Sequence, residues 1–140
     1  VSGNALFAIH CAATFAMAGI IWFVQIVHYP LMAEFPPARF GDIERRHCDL
    51  TGFVVAPPML AEISTLGLLL LGGMGGFWFL ASAALLAPVW LSTFLLQVPA
   101  HRALLRGWDP KTHARLVATN WIRTICWTLR SLALGAILVK

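Results

Sequence analysis

An all-α membrane bundle of four spans is the fold class this sequence predicts, and three observations predict it. Charged residues make up only 11% of the 140-residue chain and hydrophobic residues 59%, with a mean hydropathy of +0.78; in soluble domains roughly a quarter of residues are charged. The apolar residues gather into four blocks, 5–28, 52–71, 77–98 and 116–139, each close to the roughly 20 residues that span a hydrocarbon core. No series of segments of about ten residues alternates polar with apolar as barrel strands do, and an open sheet edge has no hydrogen-bond partners in lipid.

The length is that of one domain. The first block lacks a basic leader and a small-residue cleavage site, so it is expected to be a permanent span rather than a removable signal. Cys11, Cys48 and Cys126 are far apart with no CxxC pair, which points to neither a disulfide framework nor a zinc ribbon.

The second and third blocks are joined by Gly72-Gly73-Met74-Gly75-Gly76, an uncharged turn in which glycines accept backbone angles other residues resist. That turn and both termini are expected on one side of the membrane. Residues 29–51 and 99–115 fall on the other, with Arg39, Arg45, Arg46, Arg102, Arg106, Lys111 and Arg115. The positive-inside bias places these long connections in the cytoplasm and the termini outside, as in a bacterial inner membrane. The net charge of +4 then reflects orientation and attraction to anionic headgroups, not nucleic-acid binding. In the first connection, residues 36–50 mix Phe40, Ile43 and Leu50 with Arg39, Asp42, Glu44, Arg45 and Arg46, a pattern that predicts a short helix in the interface begun by Pro36-Pro37. The second connection turns at Gly107-Trp108-Asp109-Pro110.

On a helical period of 3.6 residues, each span carries its polar residues on one face. The first presents His10, Thr14, Met17, Gln25 and His28, and the second Thr51, Pro58, Glu62 and Thr65. In the third, Trp90, Thr93, Gln97 and His101 align. The fourth has a broader stripe of Asn120, Arg123, Thr124, Trp127, Arg130 and Ser131. Because a central charge costs roughly 2.5–3.5 kcal/mol on insertion scales, these faces should meet around a polar interior. At ~1.5 Å per residue Glu62 lies about 16 Å below the cytoplasmic surface, Arg123 about 10 Å and Arg130 about 21 Å, so Glu62 can pair with either arginine or bridge both. Such a pair either fixes helix register or lines a substrate or proton site; nearby Gln25, Thr93, Gln97 and Asn120 favour a site.

His28, His47 and His101 should converge at the cytoplasmic mouth, where three imidazoles could bind a metal, although no HxxxH or HxxHH pair is present. His10 lies too deep to join them and reads as a packing residue; a haem b would need it or another histidine with an axial partner. No cofactor is required by the sequence. His113 is expected at the solvent-exposed surface. Pro57-Pro58 and Pro88 can kink their helices and open room inside. Trp22, Trp108 and Trp121 suit the interfacial belt, whereas Trp90 and Trp127 lie deeper and can flank an aromatic guest.

Val98-Pro99 closing the third span with Leu104 after it, Asn120-Trp121-Ile122-Arg123-Thr124 in the fourth, and the exit Tyr29-Pro30-Leu31 through Phe40 together resemble a family. It is that of the small four-span membrane proteins that include the anthrone oxygenases of aromatic polyketide pathways. The likeness covers most of the chain in layout and its second half in motif. Gln97 stands before Val98-Pro99 where members often carry Asn, and Trp121 follows Asn120 where they carry His. The resemblance implies a cavity for a flat, apolar, oxidisable ring, with Asn120, Arg123, Gln97 and His101 nearest it.

Three functions compete. An enzyme, oxygenase-like and cofactor-independent, would bind a lipid-soluble aromatic or quinone-like compound beside Gln25, His28, Gln97, Trp90, Trp127 and Arg130. Glu62 or a mouth histidine such as His101 would take a proton, and Arg123 with Asn120 would hold the oxyanion. An accessory subunit of a respiratory or photosynthetic complex, or a homo-oligomer, would use the small residues Ala81-Ser82-Ala83-Ala84, Ala12-Ala13, Ala16, Ala18 and Gly19 for close helix contact. A proton-coupled carrier fits least, since no inverted repeat is present.

Overall fold

A computed structural model describes residues 2–139, which are helical in all four expected blocks and contain no strand. The first rod is α1 (Gly3–Phe23), capped by the Ser2 hydroxyl on the Ala5 amide, then a π-helical turn (Val24–His28) and α2 (Tyr29–Met32). A 3-10 turn at Pro37–Arg39 leads into α3 (Phe40–Leu71). The third rod is α4 (Phe77–Ser92), a second π-helical turn (Thr93–Gln97) and α5 (Val98–Leu104), and the fourth is α6 (Pro110–Leu138).

Both π turns have the same cause. Proline has no N–H, and its ring collides with the carbonyl four residues back. Pro30 and Pro99 would meet the carbonyls of Ile26 and Leu95 in a regular helix. Instead the amides of Tyr29 and Val98, just before each proline, reach back five residues to the carbonyls of Val24 and Thr93. The widened turn relieves the clash and rotates the next stretch of helix, as π turns at functional sites often do. Tyr29 and His101 sit directly downstream of the two turns. Pro57, Pro58 and Pro88 lie within continuous helix.

The expected short interfacial helix is not a separate element. Phe40 to Leu71 form one 32-residue helix, because nothing between Phe40 and Thr51 breaks it and its first turns are packed against α5. Gly41 makes the approach possible: a Cβ there would stand 2.9 Å from the Leu105 carbonyl oxygen. At the other loop, Gly107 takes φ +135° and Asp109 caps α6 by accepting from the Thr112 amide at 2.9 Å. Hydrogen bonding from the Thr112 side chain, and then from its amide, holds the Asp109 carboxyl below its usual range.

The rods run antiparallel, as cross-contacts show. His10 meets Thr65 near one end of the bundle, and Tyr29 meets His101 near the other. Around the core of Met17, Ile21, Met59, Leu66, Phe79, Leu86, Trp127 and Leu134, large apolar side chains point outward, among them Phe53, Leu71, Phe77, Leu95 and Leu132. Polar groups point inward: His10, Thr14, Glu44, Glu62, Asn120, Thr124 and Arg130 are fully buried. Three rods, Gly3–Met32, Pro37–Leu71 and Phe77–Leu104, are long and apolar enough to cross a membrane, the composition of an integral membrane protein. The fourth is less apolar because it carries Asn120, Arg123 and Arg130.

Candidate functional site

The buried polar residues divide into two layers. In the deeper one, Glu62 on α3 accepts from Thr14 at 2.7 Å, from the Trp127 indole at 3.0 Å and from Arg130 at 3.1 Å. Arg130 also donates to the Thr14 hydroxyl and to the Ser82 carbonyl, and His10 bonds Thr65 at 2.9 Å. Of the two pairings open to Glu62, the structure has Arg130 and not Arg123. Neither Glu62 nor Arg130 is among the residues lining the cavity described below. Contacts from α1, α3, α4 and α6 enclose this carboxylate and guanidinium.

Arg123 belongs to the second layer, one to two turns nearer the long connections. Its Nε and Nη2 donate to Asn120 Oδ1 at 2.9 and 2.6 Å. Nη1 reaches Thr93 and Nη2 reaches the Tyr29 hydroxyl, each at 3.5 Å. Asn120 in turn donates to Gln25 at 2.8 Å, and Gln25 to the Val117 carbonyl at 3.3 Å. All these partners are neutral. Among the described residues the ion pairs are His101–Glu44 and Arg130–Glu62, so no carboxylate meets the Arg123 guanidinium.

Tyr29, the single tyrosine of the chain, joins Arg123 to His101: its hydroxyl lies 3.1 Å from His101 Nε2. His101 Nδ1 is 2.5 Å from Glu44 Oε1, and the Cys48 thiol donates to the same oxygen at 3.5 Å. With Glu44 ionised and His101 neutral, one proton arrangement satisfies the chain. Nδ1–H donates to Glu44, Nε2 accepts from Tyr29, and the Tyr29 oxygen accepts from Arg123. A carboxylate that fixes an imidazole tautomer while the far nitrogen takes a hydroxyl proton is the arrangement of a general base.

These groups face a cavity of about 340 Å³ between the rods. Tyr29, His47, Cys48, Thr51, Thr93, Gln97, His101, Arg102 and Arg123 supply its polar lining, and Met17, Ile21, Val24, Val55, Met59 and Trp127 are among its apolar walls. Of the expected site residues, Arg123, His101, Gln97 and Trp127 therefore share one cavity. Asn120 and Gln25 stand behind Arg123 and orient it. Trp90 is not among the residues lining the cavity and stacks on Phe94 with ring centroids 5.4 Å apart. Gln97 donates to Thr119 at 2.8 Å.

The three mouth histidines do converge. His28 stacks on His47 with centroids 4.3 Å apart, and His47 lies 5.4 Å from His101. The tightest set of possible metal donors is nevertheless Glu44, Cys48 and His101. His47 is engaged through Nδ1 with Thr51 at 3.0 Å, and His28 lines a neighbouring groove with Phe23, Leu50 and Val54.

Three residues differ from their expected places. Glu44, expected as a solvated charge of an interfacial helix, is fully buried. Its signal is the spacing Glu44-x-x-His47-Cys48, which puts three chemically active side chains on one helix face. Tyr29 enters the sequence pattern only as part of the Tyr29-Pro30-Leu31 exit. His113, expected at the surface, is buried; its Nε2 lies 2.8 Å from the Tyr29 carbonyl oxygen and its ring packs on Trp108 at 4.8 Å. That contact ties α6 to the start of α2, and Trp108 is wedged between Phe40 and His113.

Comparison with known proteins gives no match: no family model fits the chain, and no curated protein or solved structure is detectably similar.

Proposed function

We propose that this chain is a four-span integral membrane protein whose cavity binds a lipid-soluble aromatic or quinone-like compound bearing an acidic or carbonyl oxygen and removes a proton from it. The single observation that carries this reading is Arg123, a guanidinium at a cavity wall with neutral partners only. Desolvating a charge costs several kcal/mol unless an opposite charge offsets it. A ligand oxyanion held by Arg123 supplies that opposite charge. The apolar walls suit a flat ring, and the volume lies within the roughly 300–1,000 Å³ typical of small-molecule sites.

The chemistry follows from the relay. A ligand proton passes by way of the Tyr29 hydroxyl to His101 Nε2, Glu44 stabilises the resulting imidazolium, and Arg123 holds the anion. The electron-rich anion is the form that dioxygen attacks, which is the step an oxygenase of the anthrone type needs. Glu62 has a structural part, as the counter-charge of Arg130.

Support for the fourth span comes from α6 itself. Ile122, Ile125, Leu129 and Leu132 face outward while Asn120, Thr124 and Arg130 are buried, the inverse of a soluble amphipathic helix and the pattern lipid demands. With four antiparallel spans both termini lie on one side, outside, and the basic connections face the cytoplasm of a bacterial inner membrane. The site is then near the cytoplasmic face. A second reading, as a subunit of a larger membrane assembly or a homo-oligomer, has one observation in its favour. Ala12, Ala16 and Gly19 are exposed at i, i+4 and i+7 on α1, a spacing that permits close helix approach.

Purification in mild detergent, followed by native mass spectrometry, separates the two. A small aromatic carried at one per chain, and lost in Arg123→Gln, supports the cavity reading. A stoichiometric protein partner with no small molecule supports the subunit.

A further inference from the structure

We propose that Glu44, Cys48 and His101 bind one divalent transition-metal ion of borderline softness, zinc(II) or a chemically similar ion, with a coordination position open to the cavity. A carboxylate oxygen, the thiol sulfur and a ring nitrogen of these residues all lie within 4.8 Å of one another. Donors at about 2.0–2.3 Å from a tetrahedral zinc stand roughly 3–4 Å apart, so the cluster needs only a small rearrangement to close on an ion. Glu44 and Cys48 are one turn apart on α3, and His101 faces them from α5.

A second observation is independent of that spacing. Glu44 is completely buried, yet its Oε2 has no hydrogen-bond partner. A sealed carboxylate oxygen left idle is costly, and a cation is the partner it lacks. Charge balance agrees, since a dication with one carboxylate, one thiolate and one neutral imidazole is electroneutral. The set of oxygen, sulfur and imidazole nitrogen favours zinc-like ions over magnesium or calcium.

The protons balance. One leaves the Cys48 thiol. His101 keeps one proton but shifts it from Nδ1, which takes the metal, to Nε2. That nitrogen then donates to the Tyr29 oxygen, and the Tyr29 proton, no longer given to His101, turns toward the cavity. Metal loading thus converts Tyr29 from a donor to His101 into a donor to whatever the cavity holds. While the ion is bound the proton relay is closed, because metal and shared proton compete for the same nitrogen; the relay belongs to the metal-free chain. Metal loading leaves Arg123 untouched.

The test is titration of untagged, chelator-treated full-length protein with cobalt(II). Expected are one equivalent per chain, the visible bands of four-coordinate cobalt, a near-ultraviolet thiolate charge-transfer band, and displacement of all of these by zinc. Losing an outer-shell partner already costs about 10- to 100-fold in metal affinity, so Glu44→Gln and Cys48→Ser should each weaken binding at least about tenfold. Cys48→Ser also removes the thiolate band, and Cys126→Ser, which alters a buried free cysteine of α6 outside the cluster, leaves binding and spectrum unchanged. Thermal unfolding of the metal-free variants checks that they fold. The proposal is overturned if wild type takes up less than one equivalent, if no thiolate band accompanies binding, or if Cys48→Ser binds as wild type does. None of these readouts depends on an aromatic ligand, so the cavity reading stands or falls separately.

Discussion

Replacing Arg123 by glutamine and, separately, Arg130 by glutamine should have very unequal effects on stability, although both arginines lie inside the bundle on one helix. Arg130 is paired with Glu62 at 3.1 Å and both are fully buried. Its removal strands a carboxylate, which costs about 3–5 kcal/mol. Arg123 has no carboxylate, so its removal forfeits the two short bonds to Asn120 Oδ1, worth about 1.5–3 kcal/mol each. It also relieves a desolvation penalty of several kcal/mol. The two terms nearly cancel, and Arg123→Gln should unfold within about 1 kcal/mol of wild type. Binding should move the other way. Losing a charge-assisted hydrogen bond to a ligand oxyanion, at about 1.5–3 kcal/mol, lowers affinity about 10- to 150-fold. Thermal unfolding in one detergent, with binding of a phenolic or quinone probe followed by tryptophan quenching, measures both. An Arg123→Gln protein as unstable as Arg130→Gln, or one that binds the probe as wild type does, would show that Arg123 is structural and refute the cavity's anion-holding role.

Tyr29→Phe removes the hydroxyl between Arg123 and His101 and keeps the ring in the core. Proton removal from a bound phenol or enol should fall by about 10²-fold or more while probe affinity changes little, as stopped-flow absorbance of the ligand anion would record. Gly41→Ala places a methyl 2.9 Å from the Leu105 carbonyl oxygen. It should push α3 from α5, lower stability by about 1–3 kcal/mol in thermal unfolding, and loosen the Glu44–His101 contact.

Much of this architecture is legible along the chain. Four apolar blocks, the glycine turn and the one-sided polar residues specify antiparallel helices with a hydrophilic interior, because lipid leaves buried polar groups no other place. The convergence of Gln97, His101 and Arg123 also follows from face and depth. The π turns have a signal in the repeated pattern of a polar residue followed by an X-Pro pair, Gln97-Val98-Pro99 and His28-Tyr29-Pro30, whose effect on the downstream side chains is clear only with the backbone in view.

Composition and periodicity therefore determine a helix's solvent, its inward face and the depth of each residue along its axis. The tertiary structure alone decided how each helix is turned and slid against its neighbours. Glu62 lies about one turn from either arginine by depth, and only packing gave it Arg130 and left Arg123 without a counter-ion. Glu44 reads as a solvated charge beside Arg45 and Arg46 until Gly41 lets α5 close over it. Both outcomes turn on contacts between residues dozens of positions apart, to which a local pattern carries no reference.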